Sequence, residues 1–314
     1  MQKIREPWIK LKQTINEDDY SRISCLQDLC TGKDGVALKL ELDYKRNASQ
    51  GSSNPSIRDS NEFMFFDGET LIGYLGIGQF AGGDTFEVNG MVHPDYRRQG
   101  VFSKLFDLVK EEWKRRNGGT MLLLCDKKSE PGLSFIKKTG ASFRHAEYEM
   151  FLRQEPDYSN NEDIKRIVFR KALNSDAMEI ARQNHIYFND ELPEENTAEN
   201  IGTSENLLLP EEEEKKGISI YLVEIEEKVI GKVHLQLISG IGGIYGLGIL
   251  PEYRGKGYGR ALLLKAVEIL KEKKADQIML QVAAENETAL RLYQSGGFKE
   301  TSTMYYYGLD ADAQ

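Results

Sequence analysis

Cysteine, histidine and net positive charge are all scarce in this chain, and each scarcity removes a class of function. Three cysteines (Cys25, Cys30, Cys125) are too few and too scattered for a disulfide framework or a thiolate zinc site. The four histidines, His93, His145, His185 and His234, lack metal-ligand spacing and read as structural or surface groups, so no metal is expected. Only 41 Lys and Arg stand against 50 Asp and Glu, and the resulting net charge of −9 argues against a protein that coats nucleic acid. The same acidity leans toward a cationic substrate such as an amine. No apolar run approaches the roughly 20 residues needed to span a bilayer, so no membrane partner is expected. No apolar stretch follows the charges of Met1-Gln2-Lys3-Ile4-Arg5-Glu6. A signal peptide is therefore not expected, and a reducing cytoplasm is the expected compartment. No G-x-x-x-x-G-K-[ST] run occurs, which rejects a P-loop nucleoside triphosphatase.

What is present is ordinary in bulk and specific in detail. An apolar content of 40% with 29% charged residues is that of a soluble globular protein, and 314 residues fit two domains with a core each. The informative stretch is Tyr253-Arg254-Gly255-Lys256-Gly257-Tyr258-Gly259-Arg260. It follows the apolar run Ile244–Leu250 and leads into the helical pattern Ala261-Leu262-Leu263-Leu264-Lys265-Ala266-Val267. A strand, a glycine-rich turn and a helix bring several backbone N–H groups to one point, and the helix dipole adds to their field. Gly257 and Gly259 lack a Cβ and let the backbone close in on a diphosphate, while Arg254, Lys256 and Arg260 supply positive charge around it. Taken alone, the stretch is equally consistent with a solvated glycine-rich connection.

The chain repeats itself. His93-Pro94-Asp95-Tyr96-Arg97-Arg98-Gln99-Gly100 parallels Leu250-Pro251-Glu252-Tyr253-Arg254-Gly255-Lys256-Gly257 at a constant offset of 157 residues. The same offset links Leu105 to Leu262, Gly140 to Gly297 and Tyr148 to Tyr305. This reads as two copies of one domain, expected over 1–156 and 164–314. Each copy reads as a strand and helix, a hairpin and third strand, then helix, strand, helix, strand. The expected fold is α/β, with a mixed sheet and helices on its faces. The Ser, Asn, Gly and Pro content of Tyr44 to Asn61 predicts a mobile surface loop, and polar Asp157 to Asp163 a linker. Phe188 to Lys216 reads as an insertion that forms a substrate-facing lid. Gly76-Ile77-Gly78-Gln79-Phe80-Ala81 matches a loose dinucleotide pattern, but Gly82-Gly83-Asp84 cannot open the helix it requires.

These residues resemble the GNAT family of N-acyltransferases, and the resemblance covers most of both halves. Arg254-x-x-Gly257-x-Gly259 matches the family's pyrophosphate-binding pattern, and Asn286-x-x-Ala289-x-x-Leu292-Tyr293-x-x-x-Gly297-Phe298 its second signature. The resemblance implies tandem domains, each a mostly antiparallel mixed sheet flanked by helices. It implies an acetyltransferase that takes acetyl-coenzyme A as donor and a small-molecule amine or a peptide as acceptor, by direct attack. It further implies that Leu247, Gly248 and Ile249 end a splayed strand whose backbone meets the pantetheine arm and the thioester carbonyl. Arg254, Gly255, Lys256, Gly257, Tyr258, Gly259 and Arg260 are then the diphosphate turn, with Asn286 as a further cofactor contact. Tyr293 is the expected acid for the departing thiolate, a role for which a phenol of pKa about 10 is reasonable. Against these stand plainer readings: Asn286 as a helix N-cap and Tyr293 as a packed aromatic.

Two departures qualify the resemblance. Many members carry Glu five residues before the Asn, as the base; here that position is Gln281, which cannot accept a proton. The base is then His234, Glu285, a water chain or nothing, and a protein that binds or senses acyl-coenzyme A without turnover is the alternative. The first half has Phe102 where the second has Gly259, Ile136 where it has Tyr293 and Ser129 where it has Asn286. That half is expected to be catalytically silent.

Overall fold

Each half of the chain has one tight hairpin near the edge of its sheet. In the first half β2 (Glu62–Asp67) turns through Gly68 into β3 (Thr70–Gly78); in the second, β8 (Ile218–Ile225) turns into β9 (Lys228–Ile238). The second turn uses Glu226 and Glu227 at φ 50° and 62°, the left-handed region its geometry demands. The computed structural model describes residues 1–51, 59–78, 85–157, 167–188 and 207–310. Along the first half these hairpin strands are joined by β1 (Pro7–Lys12), α1 (Glu17–Asp34), α2 (Leu42–Gly51), β4 (Phe86–Val92), α3 (Val101–Arg115), β5 (Thr120–Asp126), α4 (Glu130–Thr139) and β6 (Ser142–Leu152). The second half adds β7 (Val168–Lys171), α5 (Ala177–Phe188), α6 (Pro210–Lys215), β10 (Ile241–Ile249), α7 (Tyr258–Glu272), β11 (Gln277–Ala283), α8 (Glu287–Ser295) and β12 (Phe298–Asp310).

The chain forms two compact units: residues 1–147 with 302–314, and residues 148–301. In the first, the strand order is β1-β2-β3-β4-β5-β12-β6, and residues 304–310 of β12 pair antiparallel with 120–126 of β5. In the second the order is β6-β11-β10-β9-β8-β7, with residues 148–152 standing for β6. Each unit is therefore closed by a strand from the other half of the sequence. A constant offset between two copies does not reveal this, because both copies end in a strand of the same pattern.

The period-2 alternation of β2 explains why both faces of the first sheet are covered. Phe63 and Phe65 pack with Val101, Leu105 and Val109 of α3, while Met64 and Phe66 pack with Ile23 and Leu26 of α1. Helix α1 begins with a capping box between Asn16 and Asp19 and stops at Gly35, which takes φ 64°. In the second unit α7 buries Leu262, Leu263, Ala266, Val267 and Leu270 against Val233, Leu235 and Ile244. The opposite face holds Ile180 of α5 with Ile220 and Leu222.

The stretch expected to be a mobile loop from Tyr44 contains helix α2 as far as Gly51. Its helical spacing of Leu42, Asp43, Lys45 and Arg46 is masked in the sequence by the Ser and Asn residues that follow. Residues 52–58 of that stretch, 158–163 of the expected linker, 189–206 of the expected lid and 79–84 after the glycine pattern lie outside the described residues. The end of the lid segment forms the short helix α6.

Glu112, on α3, makes a pH-dependent clasp. Its buried carboxylate accepts from the Ser60 amide at 2.7 Å, Arg115 Nε at 2.8 Å and Arg116 Nε at 2.8 Å. Burial pushes the acid up, but hydrogen bonds from Arg115, the Ser60 amide and Arg116 outweigh it and hold it at about 2. A folded value below the unfolded one means stability that is complete above about pH 4.5 and lost as pH falls toward about 2. Glu112→Gln is expected to cost about 2 kcal/mol at pH 7, with the deficit shrinking through that window. Urea melts of both proteins at stepped pH measure it.

Candidate active site

The second unit opens where two parallel strands stop pairing. β10 and β11 are in register from Ile241↔Gln277 to Ile244↔Leu280 and no further, although β10 runs to Ile249 and β11 to Ala283. A bulge accompanies the parting: Tyr245 pairs with His234 and Gly248 with Lys232, so Gly246 and Leu247 together face Val233. Gly246 takes φ 54°, and a Cβ there would lie 3.3 Å from Lys232 Nζ. Gly248 is small for a different reason, since a Cβ would overlap the ring of Tyr187 on α5. In the first unit β4 and β5 also part, after Val88↔Leu123, but the β3–β4 ladder runs unbroken from Gly73↔Val92 to Gly78↔Glu87. The bulge belongs to the second unit's ladder alone.

Beyond the fork the chain makes a single turn of 3-10 helix, Pro251–Tyr253, and then the glycine turn. Gly255 and Gly257 sit at φ 75° and 85°, and Gly257 caps α7 without any side-chain bond to the first-turn N–H groups. Those amides face outward with the helix dipole behind them. A Cβ at Gly259 would meet only Leu292 Cδ2 at 3.5 Å and Ile249 Cγ1 at 3.9 Å. Nothing in the protein requires glycine there; the space is left for something else.

The cations around the turn divide by role. Arg254 Nε donates to the Ile249 carbonyl at 2.9 Å and ties the turn to the strand end, as Arg97 does to Val92 at 3.0 Å in the first unit. Lys256 is exposed, its Nζ 5.5 Å from the centre of the Tyr253 ring and 3.2 Å from the Glu252 carbonyl. Arg260 engages the Ser295 carbonyl at 3.1 Å and the Asp157 carbonyl at 2.9 Å, so its guanidinium is committed to the end of α8. Tyr258 packs against the core beneath the helix.

Asn286 is an N-cap: its Oδ1 accepts from the Ala289 amide at 3.0 Å. Ser129 does the same for Gly132 at 3.3 Å in the first unit. Tyr293, two turns further along α8, is buried in the same core as Ile249 and Leu263. Burial pushes its phenol up to about 12, and its hydroxyl makes no hydrogen bond among the described residues. Gln281 lies just past the last residue of β11 that pairs with β10. His234 fits poorly as a proton acceptor, because burial, and then the neighbouring Lys232, lower it to about 3. Lys232 and Tyr187 carried no sequence signal. Lys232 alternates with Val233 as an outward strand residue would, and only the covering helix α5 makes that face interior.

The first unit keeps the form of this site and not its space. Gly100 caps α3 at φ 81°, and Arg98 takes φ 61° where the second unit has glycine. Phe102 fills the place of Gly259 and packs edge-on against Phe135 at 4.6 Å between ring centres. Ile136 is buried where the second unit has Tyr293. The fork there holds a cavity of about 70 Å³, walled by Val88, Phe102, Leu123, Phe135 and Ile136 together with Val36 to Leu38.

The sequence profile of the acetyltransferase (GNAT) family matches residues 36–141 and 178–298. Mycothiol acetyltransferase of Mycobacterium ulcerans is 25% identical over 323 residues, covering 95% of this chain and 95% of that one. Mycothiol acetyltransferase of Renibacterium salmoninarum is 46% identical over 69 residues, which are 21% of this chain and 20% of that protein. Among solved structures, a tandem GNAT protein from the clavulanic acid biosynthesis pathway superposes with a TM-score of 0.71 at 14% identity, covering 98% of this chain and 100% of that one. Among the described residues no helix is long and apolar enough to cross a membrane, and no cluster of three His, Cys, Asp or Glu side chains could hold a metal ion.

Proposed function

Because this chain belongs to the acetyltransferase (GNAT) family and carries its fold twice, we propose that the second unit moves an acetyl group from acetyl-coenzyme A to a primary amine on a small molecule. One observation carries the assignment: the β10–β11 ladder opens at a bulge directly before a glycine turn whose Gly259 leaves room that the protein does not use. The backbone amides of residues 257–260 and the head of α7 would hold the diphosphate, with Lys256 beside them. When bound, acetyl-coenzyme A supplies the activated acyl group. Gly259 is the point of fit, since the first unit's Phe102 would occupy the same space.

The chain's own residues supply three things. Leu247, Gly248 and Ile249 have no partner strand in β11, so the backbone groups they turn to that side, apart from the Ile249 carbonyl held by Arg254, are open to the pantetheine arm and to the thioester oxygen. Tyr293 stays protonated across any working pH and donates to the sulfur as it leaves. The fork holds the acyl carbon so that an amine attacks it directly, without a covalent enzyme intermediate. Mycothiol acetyltransferases among the relatives favour a small-molecule acceptor over a peptide. The first unit, with its filled turn, takes no part in the chemistry, and the expected compartment is the cytoplasm.

Gln281 favours a second reading, in which the chain binds acyl-coenzyme A and senses it without turnover. Thiol release from acetyl-coenzyme A, followed across a panel of primary amines, separates the two. Amine-dependent release is expected. Tight binding with no release for any amine sinks the transferase reading and leaves the sensor.

A further inference from the structure

Lys232 sits in the middle of β9 and is fully buried, an unusual place for a lysine. Its Nζ lies 3.3 Å from the carbonyl oxygen of Gly246, 3.3 Å from Nε2 of His234 and 5.4 Å from the centre of the Tyr187 ring. Apart from His234 the strand positions packed on that face are apolar, Leu222 of β8 directly opposite and Ile220 beside it, so an apolar side chain would serve the packing better. The cation is therefore aimed at something specific.

That target is the bulge. Gly246 and Leu247 are joined by one planar peptide unit, whose C=O and N–H point in opposite directions. Lys232 holds the C=O end; the N–H end, at Leu247, points away from it. We propose that Lys232 is a positioning residue for acyl transfer: it fixes the Gly246–Leu247 bulge and places a positive charge behind the backbone N–H groups that receive the thioester oxygen. This rests on the assignment above and deepens it. In the step, the amine lone pair forms the C–N bond while the C=O π pair moves onto oxygen. That pair returns as the C–S bond breaks, the sulfur leaves as a thiolate that accepts a hydrogen bond from the Tyr293 hydroxyl, and water takes the amine proton. Lys232 neither gains nor loses a proton. Its charge stabilises the oxygen while that oxygen is anionic.

The role requires the ammonium form, and burial lowers Lys232 to about 8. Among the described residues, the groups facing it include His234 on its own strand, Tyr187 on α5 and the Gly246 carbonyl on β10. Arg254, Glu179, Arg182 and Glu252 stand beyond Tyr187. His234, at about 3, and Tyr187, raised first by burial, keep their charge between about pH 6 and pH 9.

The test is Lys232→Met, a near-isosteric apolar replacement. Expected are a fall in kcat of about 10- to 100-fold, a KM for acetyl-coenzyme A within about threefold of wild type, and a melting temperature that does not fall. Wild-type kcat, with amine saturating, is expected to drop as pH rises through about 8, and the variant to lack that limb. A readout independent of turnover is the carbonyl stretch of bound acetyl-coenzyme A labelled with ¹³C at the acyl carbon. It should shift down on wild type, less so above about pH 8, and less on the variant. An unchanged kcat and stretch in Lys232→Met overturns the proposal. So does a loss of kcat that comes with loss of melting temperature and of binding, which would mark a packing role. A wild-type kcat that rises through pH 8 would make Lys232 a base instead. Failure of the wild type to bind acetyl-coenzyme A overturns the parent assignment as well and is told apart by that.

Discussion

Gly259→Phe is expected to weaken acetyl-coenzyme A binding by about 10²- to 10³-fold. Two or three backbone amides at the head of α7 face the turn without a side-chain cap, and hydrogen bonds to a charged oxygen contribute about 1.5–3 kcal/mol each. A phenyl ring at the second helical position would stand where the phosphate oxygens must come. The first unit already shows this arrangement, with Phe102 stacked edge-on against Phe135. Gly259→Ala is the control, because its Cβ would make only ordinary contacts with Leu292 and Ile249. Calorimetric titration of both variants decides the matter. Equal affinity for Gly259→Phe and wild type would remove the turn from the donor site, and with it the reason for regarding the first unit as silent.

Tyr293→Phe is expected to lower kcat by about 10²-fold, with little change in donor KM. The figure sits at the low end for an acid catalyst for a physical reason. Burial holds the phenol at about 12, whereas a thiol titrates near 8.5, so complete proton transfer from Tyr293 to the sulfur is uphill. The hydroxyl instead stabilises the thiolate mainly as a hydrogen-bond donor that cannot itself ionise. Removing it loses an interaction made only as the C–S bond breaks, which is the kind that appears in kcat. A packing role predicts the opposite, since phenylalanine keeps the ring contacts with the core. Single-turnover rates on a good acceptor measure the difference, and an unchanged rate would remove Tyr293 from the chemistry.

The turn was the most legible part of the site, because glycine positions with positive φ and an uncapped helix start leave a residue pattern that does not depend on distant parts of the chain. The repeat was legible for the same reason, and it set Phe102 against Gly259 and Ile136 against Tyr293. Three features were not. Helix α2 was hidden by Ser and Asn residues whose side chains compete for the backbone, and which read as turn formers in isolation. Arg260 looked like a phosphate ligand by proximity in sequence, but its helical position carries it toward Ser295 and Asp157. Lys232 carried no signal, since alternation reports which residues share a face and not whether another element covers it. The bulge that gives Lys232 its target adds one residue to β10, a change that pattern matching along a strand absorbs without trace.

The crossed closing strands have a historical consequence. Residues 302–310 complete the first unit, and residues 148–152 complete the second. Once a duplicated chain has settled into this connectivity, neither copy can be deleted whole. A gene that began at the second copy would lack one strand of its sheet and carry another with nothing to pair to, an exposed edge of the kind that aggregates. The duplication is thereby ratcheted. Either copy can exchange residues one substitution at a time, as Phe102 and Ile136 stand in the first half where the second has Gly259 and Tyr293, but it cannot leave.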